Sequence, residues 1–280
     1  MIKRFFTGLV LLAMISQVSK GQQAVPVQRI ESSQFQLGII DKIPSARLGE
    51  NRTLNIYLPD AYKKDTTTAY PVIYLLDGSE QEDFIHIVGL VNYMNMINVL
   101  PPTIVVGIAN VDRRRDFTFP TQNIEDQKAW PTTGKSEKFI SFLEQELQPY
   151  ITQHYRTTAE KTLIGQSLGG LLATEILLKK PQLFRNYIIV SPSLWWNDES
   201  LLAEAPVLMK MHPYKENIQA YLALGTEGAQ MQRDMDALLK IFREKGDKKL
   251  KLTYVPFPEE NHLTILHRSV YKAFEVLNKK

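Results

Sequence analysis

Short apolar runs alternate with longer stretches of helical periodicity along most of this chain. Val72-Ile73-Tyr74-Leu75-Leu76, opened by Pro71 and closed by Asp77-Gly78, is an unbroken apolar run, which suits a strand covered on both faces. Residues 103–108, 186–190, 219–224 and 250–255 also read as strands. Apolar residues at helical spacing predict helices over 84–99, 136–150, 168–178, 201–210, 231–245 and 263–277. Ahead of the first buried run, residues 33–40 and 53–58 alternate in polarity around the turn signal Gly49-Glu50-Asn51 and predict a hairpin. The exception is 111–134, which has no period and carries Arg113, Arg114, Arg115, two prolines and Trp130. It reads as a long loop, and loops of that length inside compact domains usually serve a site. Strands and helices in alternation are accommodated by right-handed crossovers on one sheet. The expected fold class is α/β, with a mostly parallel central sheet, helices on both faces and the first hairpin as an antiparallel edge.

The first 21 residues stand apart from this pattern. Lys3 and Arg4 precede an apolar run over 5–15, followed by polar residues over 16–20 and small residues at Ser19 and Gly21, the order of a secretory signal peptide. The run is too short to span a bilayer as a helix. The expected organisation is a leader over 1–21 and a single catalytic domain over 22–280, because a chain of 280 residues with 44% hydrophobic content can bury a sizeable core. Periplasmic or secreted localisation follows, with no stable membrane anchor once the leader is cleaved. Cleavage would remove Lys3, Arg4 and Lys20 and no acid, lowering the basic count from 33 by three to match the 30 acids. The isoelectric point of 8.8 therefore belongs largely to the leader and lends no support to nucleic-acid binding. There is no cysteine, which removes disulfide scaffolds, thiol catalysis, cysteine-ligated zinc and lipid attachment through an N-terminal cysteine.

The strand read at Thr162-Leu163-Ile164 turns into the helix over 168–178 through Gly165-Gln166-Ser167-Leu168-Gly169, a G-x-S-x-G. Glycines on either side let strand and helix pass closely, and Ser167 would be held in a strained conformation with its hydroxyl projecting above the sheet. A serine hydroxyl needs a base, and the base needs an acid to fix its tautomer. In chains with this elbow the order is nucleophile, acid, histidine. His212, His262 and His267 follow Ser167; His212 precedes the candidate acid, His267 falls inside the terminal helix, and His262 sits in the loop after the last strand, which makes it the candidate base. Glu227, just past the strand over 219–224, is the candidate acid, with Asp234 and Asp236 on a helix and Glu260 beside His262 as competitors. The N–H groups of Leu168 and of Ser79, after Asp77-Gly78, are the candidate oxyanion donors, and Asp77 itself reads as a turn former.

These residues resemble the putative esterase family of α/β-hydrolases, which contains S-formylglutathione hydrolases, feruloyl and acetylxylan esterases, mycolyltransferases and ferric-enterobactin-type siderophore esterases. The resemblance runs through Ser45 to Gly49, Tyr57-Leu58-Pro59, Tyr74 to Gly78, Val106-Gly107-Ile108, Arg113 to Asp116, Gly165 to Gly170, Ser191 to Trp196 and Glu260-Asn261-His262. Ser191-Pro192-Ser193-Leu194-Trp195-Trp196 is most similar to the siderophore-hydrolase branch. The resemblance implies the α/β-hydrolase fold and an exported serine carboxylic-ester hydrolase, with a small-molecule ester as its partner and no metal or organic cofactor. Siderophore-type or other aromatic acyl esters are the expected substrates, with Trp195 and Trp196 to stack on an aromatic acyl group and Arg115 to meet an anionic one. A carbohydrate esterase and a hydrolase fold turned binding protein are the alternatives.

Overall fold

The computed structural model of the chain describes residues 30–278, so the segment read as a leader, 1–21, lies outside them. Residues 30–36 are exposed and carry no regular secondary structure. From Leu37 onward the chain forms one unit built on an eight-stranded sheet. Its strands are β1 (Ile39–Ser45), β2 (Glu50–Tyr57), β3 (Tyr70–Leu75), β4 (Ile104–Ile108), β5 (Thr157–Gln166), β6 (Asn186–Val190), β7 (Ile218–Gly225) and β8 (Leu250–Phe257), in spatial order β1-β2-β4-β3-β5-β6-β7-β8. β1 and β2 are antiparallel, β2 meets β4 antiparallel, and the remaining pairs are parallel, which is the architecture expected of the alternation.

The helices are α1 (Asp60–Lys64), α2 (Phe84–Met96), α3 (Arg113–Phe117), α4 (Ile124–Ala129), α5 (Ser136–Phe142), α6 (Gln148–His154), α7 (Leu168–Lys179), α8 (Trp196–Met211), α9 (Ala229–Lys245) and α10 (Ile265–Leu277). Successive residues of a strand point to opposite faces, and the core divides accordingly. Ile73, Leu75, Ile164 and Ile188 pack with Ile87 and Val91 of α2 and with Val270 and Phe274 of α10. Val72, Tyr74, Leu163 and Ile189 pack with α5, α7, α8 and α9 on the other face. Both faces of the central strands are therefore dry, which explains their unbroken apolar runs.

Two expectations need correcting. The first strand runs over Ile39–Ser45 rather than 33–40, and the hairpin turns over 46–49, where Gly49 takes φ +71°. β1 is an edge strand, so it tolerates Pro44, which has no N–H to give to a ladder. The aperiodic region 111–134 contains α3 and α4 rather than a plain loop. Asp112 accepts the Arg115 N–H, and Asn123 accepts those of Glu125 and Asp126, so each helix starts on a side-chain cap too short-ranged to show as periodicity.

Candidate active site

β5 delivers the chain to Ser167 and α7 leaves from it. Ser167 adopts φ +60°, ψ −120°, a region costly for a side-chain-bearing residue, of the order of 1–3 kcal/mol. Its N–H donates to Val190 O at 3.1 Å, and its carbonyl accepts the N–H groups of Leu171 at 2.9 Å and Ser193 at 3.0 Å, so the end of β6 and the start of α7 together hold the strained residue. The close approach is real at Gly165, where a Cβ would stand 2.4 Å from Gly169 O. The second tight glycine is Gly170 rather than Gly169: a Cβ there would meet Pro192 Cα at 2.9 Å.

Glu227 and His262 are brought together by neighbouring strands. Gly225, the last residue of β7, pairs with Phe257, the last of β8. Beyond that rung, Thr226 N–H donates to Glu260 O at 2.7 Å and its hydroxyl to Pro258 O at 2.8 Å, binding one loop to the other. His262 Nδ1 then lies 2.5 Å from Glu227 Oε2. The other carboxylate oxygen, Oε1, accepts Ser191 Oγ–H at 2.5 Å and Gly225 N–H at 3.1 Å. Burial pushes the Glu227 carboxyl up, but its hydrogen bonds with His262 and Ser191 outweigh that and hold it below the ordinary glutamate value. An ionised carboxylate facing Nδ1 puts the ring proton there and leaves Nε2 as the acceptor. The Glu227 side chain is 2% exposed and the His262 side chain 40%, so the pair is anchored at one end and open at the other.

Gln166, the residue before the nucleophile candidate, donates from Nε2 to His262 O at 2.5 Å and ties the histidine loop to the elbow. Ser167 Oγ rests 3.3 Å from Ser193 Oγ, and among the described residues no hydrogen bond joins it to His262. The other candidates stand elsewhere. His212 ends α8, and His267 stacks on His86 at 3.5 Å and faces Asp83 at 3.3 Å. Asp234 pairs with Arg233, Asp236 accepts from Gln232, and Glu260 is bound by Arg268.

Of the two expected oxyanion donors, the Leu168 N–H opens α7 and has no intrahelical acceptor. The Ser79 N–H does have an acceptor, since Glu82 Oε2 takes it at 3.1 Å. Ser79-Glu80-Gln81-Glu82 is an S-x-x-E sequence, the signature of a glutamate reaching back to such an N–H, and that signal was readable in the sequence. Ser79 can serve an oxyanion only after Glu82 swings away. Asp77, a turn residue at φ +53°, holds Arg113 through two bonds of 2.6 and 2.9 Å, and Arg113 also reaches Gln166 O at 3.3 Å. This arginine braces the elbow from the β3 side.

The pattern of the family described as Putative esterase matches residues 45–262. The chain belongs to that family. It is 30% identical over 250 residues to the ferri-bacillibactin esterase BesA of Bacillus subtilis (strain 168), covering 80% of this chain and 84% of that protein. Two solved structures are similar to it: an IroE-like serine hydrolase from Shewanella oneidensis (28% identity, TM-score 0.78, 86% of this chain and 80% of that one) and the BES protein from Bacillus cereus (27% identity, TM-score 0.77, 91% and 100%). The chain is thus a carboxylic-ester hydrolase with the α/β-hydrolase fold, related to siderophore esterases.

In this esterase the structure corrects two of the residues expected to meet substrate. Trp196 is 0% exposed and donates from Nε1 to Phe119 O at 2.9 Å, so it belongs to the core. Arg115 turns toward Glu50, at 2.6 and 3.0 Å, and toward Asp116, at 2.7 Å, and these carboxylates engage three of its five N–H groups and hold the guanidinium against β2. Trp195 remains half-buried two residues past Ser193. Trp130, at the end of α4, stacks flat on Trp196 at 5.3 Å and stands 5.4 Å from Trp195, and the exposed Arg114 lies over its ring at 5.2 Å. The sequence placed the stretch carrying Arg114 and Trp130 near a site, but the pairing of Trp130 with Trp195 is made only by the folded α3 and α4.

Proposed function

We propose that this esterase is an exported serine hydrolase that works through an acyl-enzyme on Ser167, with His262 as base and Glu227 as its orienting acid. The observation that carries the reading is the 2.5 Å contact between His262 Nδ1 and a buried, ionised Glu227, at the strand ends where the strained Ser167 also stands. Rotation of the Ser167 hydroxyl from Ser193 toward His262 Nε2 delivers its proton to the ring as Oγ attacks the ester carbonyl carbon. The oxyanion forms against the Leu168 N–H, joined by that of Ser79 once Glu82 is displaced. The alcohol leaves with the proton from Nε2, and a water deprotonated by the same nitrogen then releases the acid.

For the substrate, the name of the Bacillus subtilis relative and the surface made by Trp195, Trp130 and Arg114 both favour a siderophore-type or other aromatic acyl ester. Export rests on the leader pattern of residues 1–21. The test is hydrolysis of catechol-acylated trilactones, feruloylated and acetylated sugars and short aryl esters by the wild type and by Ser167→Ala. The reading expects the highest kcat/KM on the trilactones and none in the variant. A preference for the sugars would make it a carbohydrate esterase, and no turnover of any ester by the wild type would make it a binding protein on a hydrolase fold.

A further inference from the structure

Ser191 is fully buried, immediately follows β6 and adopts φ +44°, with its N–H donating to Ala223 O at 2.8 Å. A side chain at this backbone conformation is strained, and glycine would occupy it without strain. What serine adds over glycine is a hydroxyl, and among the described residues that hydroxyl meets Glu227 Oε1, at 2.5 Å. We infer that Ser191 is a positioning residue for the ester hydrolysis, acting through Glu227, an inference that rests on the reading of Glu227 as the acid of the catalytic set.

The physical case starts from the carboxylate. Glu227 stands two residues beyond β7 in a loop, and a carboxylate on a loop can rotate and present either oxygen to a histidine. Two donors on Oε1, the Ser191 hydroxyl and the Gly225 N–H, remove that freedom and leave Oε2 as the oxygen that faces Nδ1. The Ser191 hydroxyl has no choice of direction either, because an ionised carboxylate only accepts. The same donors stabilise the ionised form, in line with the lowered position of the Glu227 carboxyl. The turn at Ser191 has a second consequence: it carries the chain through Pro192 to Ser193, whose N–H and hydroxyl meet Ser167. One strained residue thus sets the acid from one side of β6 and starts the segment that steadies the nucleophile.

The test is Ser191→Gly, which deletes the hydroxyl and relieves the backbone. The melting temperature is expected to stay at or above that of the wild type, while kcat falls about tenfold with KM unchanged, the size expected for losing one hydrogen bond to a charged group. A residue that only supported the fold would show the reverse. The same substitution is then made in a Glu227→Ala background. If Ser191 acts through Glu227, the double variant is no slower than Glu227→Ala alone. Wild-type kcat in Ser191→Gly, or a further tenfold loss in the Glu227→Ala background, overturns the inference and leaves Glu227 in place. Wild-type activity in Glu227→Ala itself overturns the assignment of Glu227, and the role of Ser191 falls with it.

Discussion

Two charged clusters of similar composition stand in this esterase, and they serve opposite ends. On the antiparallel side of the sheet, Arg52 and Asp116, both 0% exposed, meet at 2.7 Å, while Glu50 and Arg115 close the group around them. On the parallel side, Glu227 meets His262 at 2.5 Å. In the first cluster the cations are guanidinium groups, which do not release a proton in a protein, so the network can hold β2 to α3 and nothing more. In the second the cation-forming partner is an imidazole whose far nitrogen remains open. Burial and ion pairing are common to both; what separates a clamp from a reaction centre is a titratable atom left without a partner among the described residues.

That contrast can be broken at either end. The largest effect is expected in Ser167→Ala, which should lower kcat/KM for ester hydrolysis by at least about 10⁴-fold and change the melting temperature little, since alanine loses only the 3.3 Å contact with the Ser193 hydroxyl and keeps the backbone bonds of the elbow. Next, His262→Ala should cost nearly as much, whereas His267→Ala, on α10 beside Asp83, should keep the wild-type rate. At the other cluster the effects should invert. Asp116→Ala removes the buried carboxylate that Arg52 and Arg115 share, leaves Arg52 with Glu50 and Ala109 O, and should destabilise the fold by about 3 kcal/mol, the low end for breaking a buried pair, read by denaturant unfolding, with kcat of the folded protein within twofold of wild type.

The smallest effect is in stability against pH. Hydrogen bonds from Arg115 lead in holding Glu50 below its ordinary value, and those from His262 and Ser191 hold Glu227 below its own against burial. A carboxyl lowered in the folded state stabilises fully above its unfolded value and loses that contribution as pH falls through the folded one. Melting temperatures of Glu50→Gln and Glu227→Gln should therefore fall less steeply than wild type below about pH 4.5, near the ordinary glutamate value. Parallel curves would show that neither carboxylate is linked to folding in this way.

Much of this arrangement was legible because it is local or follows strand order. The strand, turn and helix around Ser167 lie within one short stretch, and both faces of the central strands announced themselves as unbroken apolar runs. Glu227 and His262 could be placed together because each follows a strand and the two strands are neighbours. The rest depends on contacts that sequence does not order. Arg115 looked free because its partner Glu50 lies 65 residues away, on β2. Trp195 and Trp196 looked alike because nothing nearby told which indole would be buried. Asn197, Asp198 and Glu199, directly after Trp196, take φ of 52°, 52° and 55° without a glycine among them to signal the left-handed turn. Ser191 has the same character, since its positive φ was invisible without a glycine to signal it.

The central claim is that the strained Ser167 attacks the ester, and covalent trapping reads it most directly. Wild-type protein treated with a fluorophosphonate and digested for mass spectrometry should carry the adduct on Ser167, with none in Ser167→Ala. An adduct on Ser193 instead, or wild-type labelling and ester hydrolysis in Ser167→Ala, would contradict it.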